Sequence, residues 1–194
     1  MNTEIDEKKF KKRARAIVIA YPFVILMIGA ALNIFAFGVK PFTVAFPSMQ
    51  LISALVIAVV LLIINHAWLM TATELTRARF KMHSTPEEWA VSGKKYEDVP
   101  AEGVRELKRH HDTHLNTTEN IVYYILLVLL VLLFVFATPS LITGQIWIVS
   151  FAIARLGFTY SFLSGKDNAR ELFMTLSLLP MFGMASYLVV SLAI

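Results

Sequence analysis

Residues 109–120 read RHHDTHLNTTEN and stand where a charged segment gives way to the longest uncharged stretch in the chain, Asn120 to Ala154. Polar residues continue past that border: Asn116, Glu119 and Asn120 fall on its apolar side. Their i, i+3, i+4 spacing puts all three on one helical face. A carboxylate and two amides are costly against lipid, so that face points into a helix bundle.

The rest of the chain has the same character. Residues 16–39 carry no charge, 42–73 none apart from the ionisable His66, and 172–194 none. At 57% hydrophobic and 16% charged over 194 residues, with mean hydropathy +0.63, the chain is far more apolar than a soluble domain. A membrane span needs roughly 20 residues at 1.5 Å rise. Thr138, Pro139 and Ser140 interrupt the longest stretch, with Gly144 following. Five helices result, at about 15–38, 49–76, 114–137, 142–164 and 169–192. The expected fold is an all-α integral membrane protein.

Basic residues orient it. Lys8, Lys9, Lys11, Lys12, Arg13 and Arg15 form a basic N-terminal segment, 1–14, that runs into the first span. A second group lies in the loop at about 78–113, and Lys166 and Arg170 flank the turn between the last two spans. With five alternating helices these fall on one side, leaving Lys40 opposite and Arg155 within the membrane. The positive-inside rule puts that side, with the N-terminus, in the cytoplasm and the C-terminus across the membrane. The expected location is an integral, multi-pass position in a bacterial inner membrane or the endoplasmic reticulum. The pI of about 9.4 is thus a topology signal and not a sign of nucleic-acid binding, since no basic surface with interleaved aromatics appears. The first span is too long for the apolar core of a signal peptide and lacks a small-residue cleavage site, so it reads as an anchor. The chain has no cysteine, so any thiol chemistry must arrive with a ligand.

After the turn material HSTPEEWAVSGKKYED, residues 83–98, Pro100 and the acids Glu102 and Glu106 mark a helix start that nothing interrupts before the third span. Within the membrane, Glu119 and Arg155 each cost roughly 2.5–3.5 kcal/mol if isolated at its centre. An ion pair or shared polar pocket between the third and fourth helices is expected. That bridge either fixes helix register or belongs to a functional site. Arg77, Arg79, Arg109 and Arg170 surround it at the helix ends, where snorkelling alone accounts for Arg79, Lys81 and Lys108. With Arg155 they make a positively charged cleft suited to a small anion. Glu106, His110 and His114 share a face, but on a segment read as solvent-facing, where an ordinary polar face is favoured over a metal site. His66, beside Asn65, is expected to hydrogen-bond between helices.

At HLNTTEN the sequence resembles the MAPEG family, the membrane-associated proteins of eicosanoid and glutathione metabolism. Microsomal glutathione transferases carry a RAHLNDLEN type of motif at the start of their second helix, which His114, Leu115, Asn116, Glu119 and Asn120 match. ELTRARFKMHSTPEEWAVSGKKYED, with Thr85-Pro86-Glu87-Glu88, is similar to the end of the family's first helix and its following turn. ARLGFTYSFL places Arg155 at the family's third-helix arginine. The resemblance covers about residues 49–194 and implies a four-helix bundle, to which helix 15–38 is an addition. It also implies a homotrimer that binds glutathione as co-substrate between subunits while a lipophilic substrate arrives from membrane lipid. By position Arg77, Asn116, Glu119, Arg155 and Arg170 are the glutathione-binding set, with His114 in the motif and Arg109 as a substitute basic group. Arg170 is the thiolate-stabilising candidate. No metal is implied. The chain departs from the pattern at Asp112, at Thr117 in place of the motif's acid, and at Phe158 and Phe162 where relatives carry a hydroxyl or histidine. The implied activity is glutathione conjugation or peroxide reduction. A non-catalytic lipid- or partner-binding member is the alternative, and a transporter or channel subunit fits less well without a repeat or broken helices.

Overall fold

The computed structural model describes residues 2–41, 46–131 and 141–194. Helix α1, Asn2–Ala31, continues into a π-helical segment, Leu32–Phe37. Then follow α2, Met49–Phe80, the short α3, Pro86–Ser92, a 3-10 turn, Tyr96–Asp98, and the long α4, Ala101–Leu130. The chain ends with α5, Leu141–Leu163, and α6, Asp167–Ala193. Among the described residues no strand occurs, and the fold is an all-α membrane bundle.

Among the described residues, four helices are long and apolar enough to cross a membrane: Lys11–Phe37, Met49–Phe80, Leu141–Leu163 and Asp167–Ala193. The fifth expected span, 114–137, begins inside α4, and its last part lies outside the described residues, as does the Thr138-Pro139-Ser140 break. The loop at 78–113 holds more helix than turn chemistry suggested. Thr85 caps α3 with a capping box: Thr85 Oγ1 accepts from the Glu88 N–H at 3.3 Å, and Glu88 Oε2 accepts from the Ser84 and Thr85 N–H groups at 2.7 and 3.4 Å. The Ser84 N–H bond is the main cause that holds the Glu88 carboxyl below its ordinary range.

The core forms where α2, α4, α5 and α6 meet. Leu51, Ala54, Ala58 and Leu62 recur at helical spacing on α2 and face Tyr124 and Val128 of α4 and Phe151 of α5. Tyr124 stacks on Phe151 at 4.0 Å between ring centres, and its hydroxyl donates to the Ile148 carbonyl at 2.8 Å. α1 lies along α6. The two helices touch through backbone: a Cβ on Gly29 would stand 3.0 Å from the Gly183 N and Cα. Small residues at such a crossing let helices approach where lipid gives no hydrophobic drive. One turn on, buried Asn33 donates to the Gly183 carbonyl at 2.7 Å and to Ser186 Oγ at 2.9 Å, and accepts from Trp147 Nε1 at 3.0 Å. Within a membrane span no water is at hand to satisfy these polar groups, so the hydrogen bonds of Asn33 tie α1 to α5 and α6.

Candidate ligand-binding site

The site is built around Arg155 on α5. It is fully buried, with no accessible surface. Nη2 donates to Asn116 Oδ1 at 3.0 Å and to Thr117 Oγ1 at 2.6 Å, both on α4. Nη1 reaches Ser177 Oγ on α6 at 3.5 Å, and the guanidinium lies 4.2 Å from the centre of the Phe158 ring. Nε has no partner. Among the described residues no carboxylate meets this cation. Its charge is spread over neutral oxygens and an aromatic face, in a medium where burying it is costly.

The expected pairing of Glu119 with Arg155 is therefore not what the structure holds. Glu119 is exposed on the protomer. The reason is helical register. α4 buries Gly103, His110, Thr113, Thr117 and Tyr124. Glu119 is two residues past Thr117, about 200° round the helix, so it must face outward when Thr117 faces in. Thr117, which stands where the family's motif has an acid, supplies the shorter of the two α4 bonds to the arginine.

Asn116 connects this buried centre to an open cleft. Its side-chain oxygen accepts from Arg155, while its Nδ2 donates to none of the described residues. The amide N–H groups are thus open on the cleft side. The cleft has a volume of about 600 Å³ and is lined by Asn116, Phe158 and Phe162, by Arg170 and Met174 of α6, and by the first turns of α1's apolar stretch. Arg170 stands at its mouth. One Nη meets the exposed Asp167 at 3.3 Å, and the guanidinium lies 5.2 Å from the Phe162 ring centre. Most of its donors remain open. Tyr160 is turned away, its hydroxyl accepting from Lys166 Nζ at 2.8 Å.

The other sequence candidates do not converge on this cleft within one protomer. Arg109 is exposed beside the turn between α5 and α6, where a Cβ on Gly165 would come 3.3 Å from its Nη1. Gly165 has φ +66°, a conformation that favours glycine there. Arg77 pairs with Glu74 along α2 and keeps an unpartnered buried Nε. His114 packs edge-on against His66 at 5.2 Å, while Asn65 is buried with neither side-chain polar atom paired. The predicted hydrogen bond from His66 is replaced by this ring contact. His110, expected on a solvent-facing polar surface, is buried instead. Burial pushes its pKa down, opposed by Glu106. Among the described residues no group of three or more His, Asp or Glu is arranged to hold a metal. A separate groove between α2 and α4 is lined mainly by apolar side chains, among them Leu55, Val59, Ile63 and Ile121, with His66 and Tyr124 also on its wall.

Sequence reasoning missed Thr117 and Ser177 as arginine partners. Single hydroxyls on apolar helices carry no pattern; only the buried Arg155 indicates that acceptors must lie around it.

The site defines a class: a helical membrane protein with a polar cleft set against a buried arginine. Within that class, the MAPEG family model matches residues 54–190, and the chain belongs to that family. No curated protein and no solved structure gives a match to the chain.

Proposed function

We propose that the protein is a glutathione-dependent membrane enzyme that conjugates glutathione to lipophilic electrophiles or reduces lipid hydroperoxides with it. The observation that carries this is the cleft in which Asn116, held by Arg155, and Arg170 present open hydrogen-bond donors beside an apolar wall. Membership of a family that includes glutathione-dependent transferases and peroxidases supports it. Asn116 binds the tripeptide; Arg155 acts through Asn116, by orienting its amide. Arg170 faces the sulfur. A thiol with pKa near 8.5 is only a few per cent ionised at neutral pH, and the thiolate is the nucleophile. Lowering that pKa by two units takes about 2.7 kcal/mol of preferential thiolate stabilisation, which a cation in a partly dry cleft supplies. The cleft opens at the basic end of the bundle, which faces the cytoplasm. In a homotrimer, Arg77, His114 and Glu119 reach the ligand from a neighbouring subunit, and Arg109 flanks it at the turn before α6.

The alternative, a member that binds without catalysing, draws on Phe158 and Phe162: two rings without a hydroxyl line the cleft. Ultraviolet difference absorbance separates the two. Glutathione added to purified protein at neutral pH gives a thiolate band that Arg170→Ala removes and Arg79→Ala retains. Survival of the band in Arg170→Ala would overturn the role given to that arginine. Binding without any band would favour the non-catalytic reading.

A further inference from the structure

Helix α1 lies outside residues 54–190, the part of the chain that carries the family match. An anchor helix with no other role has no reason to meet the site. Yet Ile17, Val18 and Tyr21 line the same cleft as Asn116 and Arg170. Ile17 and Val18 are exposed, at 58% and 72%, so their side chains face the open space and are not spent on packing. They begin the uncharged stretch 16–39, which places them where membrane and basic end meet. Phe158 and Met174 line the same cleft.

This wall is fastened. Tyr21 and Thr175 share a hydrogen bond of 2.6 Å at the cleft itself. Thr175 has one hydroxyl proton and gives it to the Glu171 carbonyl at 3.0 Å, so Tyr21 is the donor to Thr175. Farther along, Gly29 touches the Gly183 backbone and Asn33 is tied to both α5 and α6. The cleft thus combines polar groups, Arg170, Asn116 and Glu171, with apolar side chains of α1, α5 and α6.

We propose that α1 is a specificity-determining wall of the ligand cleft: Ile17 and Val18 hold the apolar chain of an amphiphile whose anionic end lies at Arg170. This rests on the reading of the cleft as the ligand site, and it assigns the second-substrate side of that site to a helix outside the family match. The occupant is a small amphiphile because the cleft joins a cation to an apolar strip within about 600 Å³, too little for a protein partner.

The absence of cysteine makes the test direct. Val18→Cys and, as control, Ile28→Cys on a part of α1 away from the cleft are reconstituted separately in lipid nanodiscs. N-ethylmaleimide alkylation is timed with and without S-hexylglutathione or decanoate. The expected result is slowing of about fivefold or more at Val18→Cys and none at Ile28→Cys. Adding Arg170→Ala to Val18→Cys removes the protection by decanoate. Protection by decanoate with none by S-hexylglutathione supports the wall and overturns the glutathione reading. Unchanged alkylation at Val18→Cys with both compounds overturns the wall, and calorimetric binding of S-hexylglutathione to the same protein then shows that the glutathione reading survives. Equal protection at both cysteines also overturns it, since the compounds would be acting through the bilayer. A companion variant, Ile17→Ala with Val18→Ala, keeps the helix and shortens the wall. It lowers the preference for S-hexyl- over S-methylglutathione by roughly fivefold, on the scale of the apolar groups removed; an unchanged preference counts against the wall.

Discussion

Arg155 makes the strongest demand of any residue in the chain. A buried guanidinium without a carboxylate depends on each neutral acceptor it has, and Thr117 gives it the shortest bond. Thr117→Val keeps the shape and deletes that acceptor, and should cost about 1–2 kcal/mol of stability. Glu119→Gln should leave stability unchanged, because the carboxylate is exposed and unpaired with Arg155. Thermal or denaturant unfolding of the two variants in one detergent decides it; a large loss in Glu119→Gln with none in Thr117→Val would restore the ion pair. His110 carries a pH signature. Its pKa is lowered in the folded state by burial, so the unfolded chain takes up a proton first as pH falls. Its contribution is fully present above about pH 6.5, the ordinary histidine value. It is lost as pH falls through the lowered folded value. Stability measured from pH 7.5 downward should fall more steeply in wild type than in His110→Gln; parallel curves would remove His110 as the cause.

At the scale of the element, the helices were legible and their faces less so. Charge-free length and the break at Pro100 locate helices because hydropathy and backbone chemistry are local, whereas Pro86 reads as turn material and in fact opens α3. The face of α4 that enters the bundle depends on what α5 and α6 offer it. Asn116, Glu119 and Asn120 share a stripe by spacing alone, yet burial of Thr117 rotates that stripe so that Asn116 reaches the centre and Glu119 does not. His110 was read wrongly for the same reason. Crossing points are equally hidden: Gly29 and Gly183 lie far apart in sequence, and only packing brings them together. Gly29→Ala should destabilise by about 1–3 kcal/mol, because the added methyl meets backbone at 3.0 Å that cannot rotate away. Ala30→Gly, one position away, is the control for helix propensity. Equal small losses in both would mean that α1 and α6 are not held at that crossing.

For the whole molecule, membership of the MAPEG family and the all-α bundle agree with what hydropathy and the HLNTTEN motif imply. The candidate site was legible in part. Arg155 and Asn116 stood out because charge and amide groups at membrane depth are rare, and Arg170 through the family resemblance; Asn116 and Arg170 line one cleft, with Arg155 buried behind Asn116. Arg77, Arg109, His114 and Glu119 do not line that cleft within the protomer, and their place at a ligand belongs to the proposed assembly. The contribution of α1 was not legible, since its apolar residues look alike until α6 is placed beside them. The central claim is that this cleft binds glutathione through the arginine-supported asparagine and Arg170. Isothermal calorimetry of glutathione with the purified protein tests it most directly. The account predicts micromolar to millimolar binding in wild type that Arg170→Ala and Arg155→Ala each abolish while the folded assembly persists. Absence of binding in wild type, or undiminished binding in both variants, would contradict it.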